Sequence, residues 1–386
     1  MIRIAVFTYY GLDKGGTEKF LQTVSALLSK SNYIVDYYYI DSIPEKVSSV
    51  KGEYLNKNNV NLIPYHCDKV EVKKRYVFQS NSTFFDVFQG ADIVLTGSSG
   101  FTEQILENIK HIPIVQTIHY VDGADNQYNI SRVLHISNFS ENMWIKKGGD
   151  KSRTKLISHP IIIPSYNNID IRKELGISAE DFVFGLHQRD NDYIFSDIPL
   201  KAYAKIEGKH TAFIVCGGSK KYREQAKKLG LKRVYFIDVT DSNDIIYSFL
   251  ESLDVYAHGR FDGELNSTAL AEAMYFGLPI LTHPSEVYNG QLEVVDGNGF
   301  VAQDYNEYAE RMKVLIQNKS IFKSCVNGSK KMFLKKYDPD EQIKNIMKIF
   351  DDVLNNPYPH KVRRIFFAVI NKIYVVLKKT AALMQE

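Results

Sequence analysis

Residues 262–280 read DGELNSTALAEAMYFGLPI and combine the signals of a helix with those of the strand that follows it. Asn266 or Ser267 is a favourable helix N-cap, and Gly277 is the residue type that commonly ends a helix. Pro279 opens the apolar run of the next strand, because proline cannot continue a helix. A capped helix followed at once by a buried strand is half of a parallel βαβ unit, so this stretch predicts an α/β fold.

The same alternation of apolar runs and helix-period segments extends outward over most of the chain. In the first half it predicts strands at 2–9, 34–40, 92–97, 112–119 and 133–137, and helices at 17–29, 102–109 and 140–147. In the second half it predicts strands at 182–186, 212–215, 234–236, 255–257 and 279–282, and helices at 198–205, 220–228, 243–253 and 267–276. Two doubly wound parallel sheets in tandem are the simplest architecture for this pattern.

Two domains are expected, because 386 residues are too many for one core. The proline-containing segment SHPIIIPSYNNI separates the two series of strands and helices. We predict Rossmann-like domains over residues 1–162 and 163–337, a last long helix over 338–356, and a tail over 357–386.

The composition is that of a globular protein, with 44% hydrophobic and 24% charged residues. The net charge of +3 does not indicate a nucleic-acid partner. Cys67, Cys216 and Cys325 are far apart and lack metal-ligand spacing, so we expect no disulfide or zinc site and a cytoplasmic location. The apolar N-terminal run is interpreted as a buried strand rather than a signal peptide, and no run reaches the ~18 apolar residues of a membrane-spanning helix.

The tail changes character and predicts a basic amphipathic helix. One side would carry Phe366, Val369, Ile370, Ile373 and Leu377, and the other Arg364, Asn371, Lys372 and Lys379. Such a helix is typical of a segment that lies on an anionic membrane surface, so residues 361–386 predict peripheral attachment at the inner face of a membrane. The alternative is that the apolar stripe packs on the body of the protein or on a second subunit.

Two turns have the features of anion sites. The first, GLDKGGTEKF, places Gly15 and Gly16 between a strand and a helix, where free N–H groups attract phosphate. A tight turn alone could require these glycines, and the dinucleotide pattern GxGxxG is absent. The second is the helix start after Asn266. Glu264 and Glu272 flank it, and carboxylates are compatible with an anion there if they face neutral sugar or ribose hydroxyls.

The run from Ser252 to Asp304 resembles the donor-binding half of the retaining glycosyltransferases of family 4, which share the two-domain GT-B architecture. It carries that family's two glutamates separated by seven residues, followed by alanine-methionine and Gly-x-Pro: Glu264, Glu272, Ala273, Met274, Gly277 and Pro279. GGTE, TIHY and FGLHQRD resemble three further motifs of the family, in the right order. The resemblance implies two Rossmann-like domains facing each other across a cleft, the first for the acceptor and the second for the donor, and a C-terminal helix that returns to the first.

The resemblance also implies roles for individual residues in the donor site. Glu272 would accept hydrogen bonds from the ribose hydroxyls, and Glu264 from hydroxyls of the transferred sugar. Arg189 would neutralise the diphosphate as it departs. The sugar and phosphate oxygens would be held by backbone N–H groups of Asn266, Ser267, Thr268 and Ala269. From the first domain, Gly15 and Gly16 would contact the phosphate and His119 the donor sugar.

Two positions depart from the family pattern. Ile194 stands where the family has a lysine that also binds the diphosphate, and Arg260, Lys220 or His187 are candidates to compensate. Tyr120 follows His119 where the family has an aspartate, and the nearest carboxylate is Asp122.

The expected function is retaining, metal-independent transfer of a sugar from a nucleotide diphosphate sugar to a glycan or lipid-linked acceptor, in polysaccharide or glycoconjugate synthesis. No metal or cofactor is expected, because the sequence lacks a DxD motif at a strand end. Two alternatives remain open: a phosphorylase or epimerase with the same architecture, and a catalytically inactive carbohydrate-binding protein.

Overall fold

The computed structural model describes residues 1–358 except positions 14, 67, 73–74, 80–87, 89, 104, 107–108 and 110, and in the tail residues 362, 365–366, 369 and 373. The chain divides into two compact units. The first comprises Met1–Pro160 together with Pro339–Glu386, and the second is Ile161–Asp338. The domain limits predicted above, after residues 162 and 337, lie beside these divisions.

The first unit is built on a seven-stranded parallel sheet. Its strands are β1 (Arg3–Phe7), β2 (Ile34–Ile40), β3 (Asn61–Tyr65), β6 (Ile93–Ser98), β7 (Ile114–Ile118), β8 (Ile130–His135) and β9 (Thr154–Leu156). Their order across the sheet is β3-β2-β1-β6-β7-β8-β9. A separate antiparallel ribbon pairs β4 (Asp68–Val72) with β5 (Arg75–Gln79). Among the residues that the structure describes, this unit contains the α-helices α1 (Gly16–Lys30), α2 (Ser49–Lys57), α3 (Asn138–Lys146) and α11 (Pro339–Asn355), besides helical residues in the tail.

The core of the first unit forms where apolar strands meet the apolar faces of the helices. Strand β1 is buried from Ile4 to Phe7, as expected for a central strand covered on both faces. Helix α11 buries Ile346, Phe350 and Val353. The Phe350 ring packs 6.3 Å from that of Tyr33, and Arg132 Nη2 of β8 lies 2.8 Å from Asp352 Oδ2. The last long helix is therefore an integral part of the first unit.

The second unit is built on a six-stranded parallel sheet with the order β12-β11-β10-β13-β14-β15. Its strands are β10 (Phe182–Gln188), β11 (Thr211–Gly217), β12 (Val234–Ile237), β13 (Val255–Ala257), β14 (Ile280–Thr282) and β15 (Gly299–Val301). Its helices are α4 (Ile171–Glu174), α5 (Ile198–Tyr203), α6 (Lys220–Lys228), α7 (Asn243–Glu251), α8 (Thr268–Tyr275), α9 (Tyr305–Gln317) and α10 (Lys319–Lys336).

The strand order of the second unit positions the candidate site. The chain runs from β10 outward to β12, and then returns through α7 to place β13 on the other side of β10. The connections therefore diverge between β10 and β13, and such a switch point opens a crevice at the carboxyl ends of the strands.

The predicted α/β class with two parallel sheets is confirmed, and every predicted strand is present. The main-sheet strands that the sequence did not predict are β3, β9 and β15, and each lies at the edge of its sheet. Edge strands lack the continuous apolar run of central strands. β3 contains Pro64, which edge pairing tolerates.

Some of the predicted features include residues that lie outside the described part of the chain. The helix predicted over 102–109 includes positions 104 and 107–108, which lie outside the described residues; of the described residues in this range, Ile105 and Leu106 have 3-10 helical conformation. Cys216 and Cys325 are buried free thiols, and Cys67 is outside the described residues. Within the described part of the chain, no helix has the length and apolarity needed to cross a membrane.

Candidate donor-binding site in the second unit

A pocket of about 290 Å³ opens at the switch point of the second unit. Residues at the carboxyl ends of β10, β11 and β13 line it, together with the loop before α8. They include His187, Arg189, Cys216, His258, Arg260 and Glu264. The position is the usual one for a ligand site in an open α/β sheet.

Glu264 lies on a sharp turn between β13 and α8. Gly263 has a φ of +67°, and a Cβ there would clash with the carbonyl oxygen of Tyr288, so only glycine fits. The backbone N–H of Glu264 donates to Oε1 of Gln291 at 3.0 Å, which fixes the loop from the other side. The turn therefore sets the direction in which the Glu264 side chain leaves the backbone.

The Glu264 carboxylate has charged or polar neighbours at both oxygens. Arg260 Nη1 donates to Oε1 at 3.0 Å, and His258 Nε2 lies 3.4 Å from Oε2. Burial alone would raise the pKa of Glu264, but hydrogen bonding and charge from His258, together with Arg260 and Ser267, hold it below its usual range. The carboxylate is therefore ionised at neutral pH, although its side chain is only 16% exposed.

Arg260 is in turn held by Asp262. Nε and Nη2 of Arg260 donate to the two carboxylate oxygens of Asp262 at 2.9 and 2.7 Å, which is the bidentate geometry of strong Arg–carboxylate pairs. Burial opposes the charge of Arg260, but Asp262 and Glu264 raise its pKa overall. All three nitrogens of the guanidinium are thus bonded to carboxylates.

Glu272 lies inside α8, as predicted, and is 7% exposed. It is not among the described residues that line the pocket. Its Oε2 lies 3.5 Å from Nε2 of His187, which does line it. The Tyr256 hydroxyl lies 3.3 Å from the other ring nitrogen of His187. The two glutamates therefore have the same kind of partner, since each faces a histidine.

The start of α8 is the predicted anion site. Ser267 is the N-cap, and its hydroxyl accepts from the N–H of Leu270 at 3.2 Å. The N–H groups of Thr268 and Ala269 have no acceptor among the described residues, as is usual for a first helical turn. Asn266 accepts a hydrogen bond from the Tyr337 hydroxyl at 3.3 Å. Of residues 266–269, Ala269 is a lining residue of the pocket.

The positive charge available in the pocket is concentrated at Arg189. This arginine is exposed, lines the pocket, and forms no ion pair with any residue that the structure describes. Ile194 also lines the pocket and is 2% exposed, so the wall is apolar at the position of the family lysine. Of the candidates to compensate, Arg260 and His187 line the pocket, whereas Lys220 is an exposed residue at the start of α6.

The remaining predicted residues belong to the first unit. Gly15 is the N-cap of α1 and Gly16 its first residue, and both are exposed. His119 follows β7, and its Nε2 lies 3.0 Å from the Thr117 hydroxyl. Its ring packs on Phe20 at 5.0 Å, and burial lowers its pKa to about 3, so the imidazole is neutral.

Sequence reasoning missed the pairing of Glu264 with His258 and the anchoring of Arg260 by Asp262. The spacing from Arg260 to Glu264 was visible in the sequence, but whether two loop residues meet depends on the turn at Gly263. No group of three or more His, Cys, Asp or Glu side chains that could hold a metal ion occurs within the described ranges.

Comparisons with known proteins bear on both the fold and the second unit. Residues 168–332 match the model of the family Glycosyl transferases group 1. Among curated proteins, no relative matches the chain.

Three solved structures illustrate the similarity of fold. HepE from Anabaena in complex with UDP-glucose is 19% identical, with a TM-score of 0.69 over 91% of this chain and 100% of that one. A glycosyltransferase from Rickettsia africae is 13% identical, with a TM-score of 0.72 over 92% and 99%. Sucrose-phosphate synthase from Thermosynechococcus elongatus is 14% identical, with a TM-score of 0.69 over 92% and 100%. The chain therefore has the GT-B fold, and most of its second unit has the sequence pattern of the glycosyl transferases group 1.

Proposed function

We propose that the protein is a retaining glycosyltransferase that takes a sugar from a nucleotide diphosphate sugar. The observation that carries the proposal is the pocket of the second unit, where Glu264, the unpaired Arg189 and the start of α8 come together. The family match over residues 168–332 supports the transferase class. The UDP-glucose named for HepE supports a UDP-sugar as donor.

The proposed roles follow from charge. The N–H groups at the start of α8 and the guanidinium of Arg189 bind the diphosphate, because both are positive and neither is occupied within the described structure. Glu264 accepts hydrogen bonds from hydroxyls of the transferred sugar, and Glu272 from the ribose hydroxyls. Arg260, the partner of Glu264, reduces the repulsion between that carboxylate and the phosphates.

In the proposed reaction, the bond between the anomeric carbon and the phosphate oxygen breaks, and a bond to the acceptor oxygen forms on the same face. The acceptor proton goes to the departing phosphate. Arg189 stabilises the charge that develops on the diphosphate, which is where preorganised positive groups accelerate a transfer. The proposal includes neither a metal nor a cofactor. Gly15, Gly16 and His119 of the first unit keep their predicted roles toward the phosphate and the sugar.

We propose that the enzyme is cytoplasmic, and the tail supports an acceptor that is bound to a membrane. Residues 362, 365, 366, 369 and 373 are helical and carry exposed apolar side chains. Their spacing places them along one side of a helix, and the sequence adds basic residues around them. Ile370, Leu377, Arg364, Asn371, Lys372 and Lys379 lie outside the described residues. We propose a glycan or lipid-linked acceptor at an anionic membrane, in polysaccharide or glycoconjugate synthesis.

The test is a panel of UDP- and GDP-sugars, with thermal shift as the binding assay and release of the nucleotide as the activity assay. We expect one donor to raise the melting temperature and to be hydrolysed slowly without acceptor. Glu264→Ala should lower turnover by orders of magnitude with an unchanged circular dichroism spectrum. Turnover by Glu264→Ala at the wild-type rate would show that the site is assigned incorrectly.

The same panel distinguishes the alternatives. Phosphate-dependent cleavage of a glycoside, without nucleotide affinity, would favour a phosphorylase. Binding of a nucleotide sugar without hydrolysis or transfer would favour an inactive binding protein. This second candidate is supported by the apolar pocket wall at Ile194, where the family has a lysine.

A further inference from the structure

Arg260 has two possible functions in the pocket. It could neutralise the diphosphate in place of the lysine that is absent at Ile194, or it could act on Glu264. The hydrogen bonds separate these possibilities. Nε and Nη2 of Arg260 donate hydrogen bonds to Asp262, and Nη1 donates to Glu264. Three of the five N–H groups of the guanidinium are therefore donated to carboxylates, which leaves a phosphate only the second N–H of Nη1 and the second N–H of Nη2.

The charge around Arg260 also favours a role toward Glu264 over binding of the diphosphate. One arginine faces two carboxylates, so the group of Arg260, Asp262 and Glu264 carries a net negative charge when His258 is neutral. Such a group does not attract a diphosphate. It does hold the ionised Glu264 in a pocket wall where burial would otherwise favour the protonated form.

His258 completes the arrangement from the other side. Its Nδ1 lies 2.8 Å from the hydroxyl of Thr282 in β14, and Nε2 faces Oε2 of Glu264. If the Thr282 hydroxyl donates to Nδ1, the proton of the neutral ring is on Nε2, which lies 3.4 Å from Oε2 of the carboxylate. His258 is 3% exposed, so its ring has little freedom to rotate.

We propose that Arg260, anchored by Asp262, is a positioning residue that fixes Glu264 toward the donor sugar and does not bind the diphosphate. The inference rests on the proposed function, because it assigns Arg260 within the same site. If Arg260 is a positioning residue, its loss lowers the rate of transfer and leaves the affinity for UDP unchanged. If Arg260 instead replaced the missing lysine, its loss would lower the affinity for UDP.

The test compares Arg260→Gln and Arg260→Lys with the wild type in two assays: the dissociation constant for UDP by calorimetry, and hydrolysis of UDP-glucose. We expect UDP affinity within about threefold of wild type and kcat lower by about 100-fold in both variants, since a misplacement of about 1 Å costs that much. Lysine keeps the charge but cannot form the bidentate pair, so it should not rescue kcat.

A matched control is Arg311→Gln. Arg311 also pairs with a glutamate four residues away, since its Nη2 lies 2.9 Å from Oε1 of Glu307 in α9, outside the pocket lining. Arg311→Gln should have the dissociation constant for UDP and the kcat of the wild type. Asp262→Asn, which leaves Arg260 in place but weakens its anchor, should lower kcat by less than Arg260→Gln.

A titration of Glu264 by carboxylate carbon NMR tests the inference without any ligand. Beyond Arg260, the ionisable groups that face this carboxylate are His258, Tyr256 and Tyr337. Because those three are unchanged in Arg260→Gln, we expect the apparent pKa of Glu264 to rise and the acid limb of kcat to move to higher pH.

The outcomes separate the two levels of the proposal. Loss of UDP affinity in Arg260→Gln, with rescue in Arg260→Lys, would overturn the positioning role and make Arg260 a phosphate-binding residue. An unchanged kcat and an unchanged pKa of Glu264 would overturn it as well. If the wild type binds none of the UDP- and GDP-sugars of the panel, the proposed function itself fails, whatever the titration shows.

Discussion

His187 and Glu272 lie with Nε2 and Oε2 3.5 Å apart, which links a residue that lines the pocket to a carboxylate buried in helix α8. In the proposed complex, Glu272 accepts hydrogen bonds from the ribose hydroxyls beside this ring. We expect Glu272→Gln to weaken UDP binding by about 10- to 100-fold, because a hydrogen bond to a charged group contributes about 1.5–3 kcal/mol. Calorimetry with UDP measures the effect, with the exposed Glu224→Gln as control. Equal UDP affinity in both variants would contradict the assignment.

Gly263 is expected to tolerate no side chain. Gly263→Ala would place a Cβ against the carbonyl of Tyr288 at a φ of +67°, and we expect a loss of more than about 2 kcal/mol in the free energy of unfolding. Gly297 has a φ of +72° with open space around it, so Gly297→Ala carries the backbone strain without the clash. Urea unfolding of the two variants isolates the clash, and equal losses would mean that the turn at Gly263 adapts.

Low pH should destabilise the protein through its buried histidines. Burial lowers the pKa of His119 and of His135 to about 3, against about 6.5 in the unfolded chain. The unfolded state therefore binds more protons between these values, and stability falls as the pH is lowered from about 6.5 toward 3.

Substitution of His119 tests this pH dependence. His119→Gln should reduce the slope of unfolding free energy against pH by about one proton near pH 5 and by less toward pH 7, as measured by urea unfolding at several pH values between 5 and 7. The exposed Asn56→Gln, which changes no titratable group, serves as control and should leave the slope unchanged. A slope in His119→Gln equal to that of the wild type would mean that His119 titrates normally in the folded protein.

The tail predicts attachment to anionic membranes. Deletion of residues 361–386 should abolish cosedimentation with vesicles that contain about 30% phosphatidylserine, and high salt should weaken the binding of the full chain. Substitution of the exposed Phe366 and Val369 by serine should lower the binding while the basic residues stay in place. Vesicle binding that survives the deletion would exclude the tail as the anchor.

The sequence predicted the central strands and the helix of the quoted stretch, because their signals are local. Ser267 is the N-cap that its residue type and position suggested. The three missed strands of the main sheets lie at edges, where strands are short and not uniformly apolar. The partners of Glu264 could not be predicted from the sequence for a different reason. His258 is held by Thr282 in a different strand, and Arg260 by Asp262 across a turn, so both contacts depend on tertiary structure.

The first unit is assembled from two separate pieces of chain, since α11 packs on it from the far end of the sequence. During synthesis on a ribosome, the continuous stretch of the second unit leaves the ribosome before α11 does, because it ends at Asp338. The first unit then waits with Tyr33 and the neighbouring core surface uncovered until residues 339–355 emerge. A chaperone that protects apolar surface on a nascent chain would therefore be needed most at the amino-terminal half, although that half is made first.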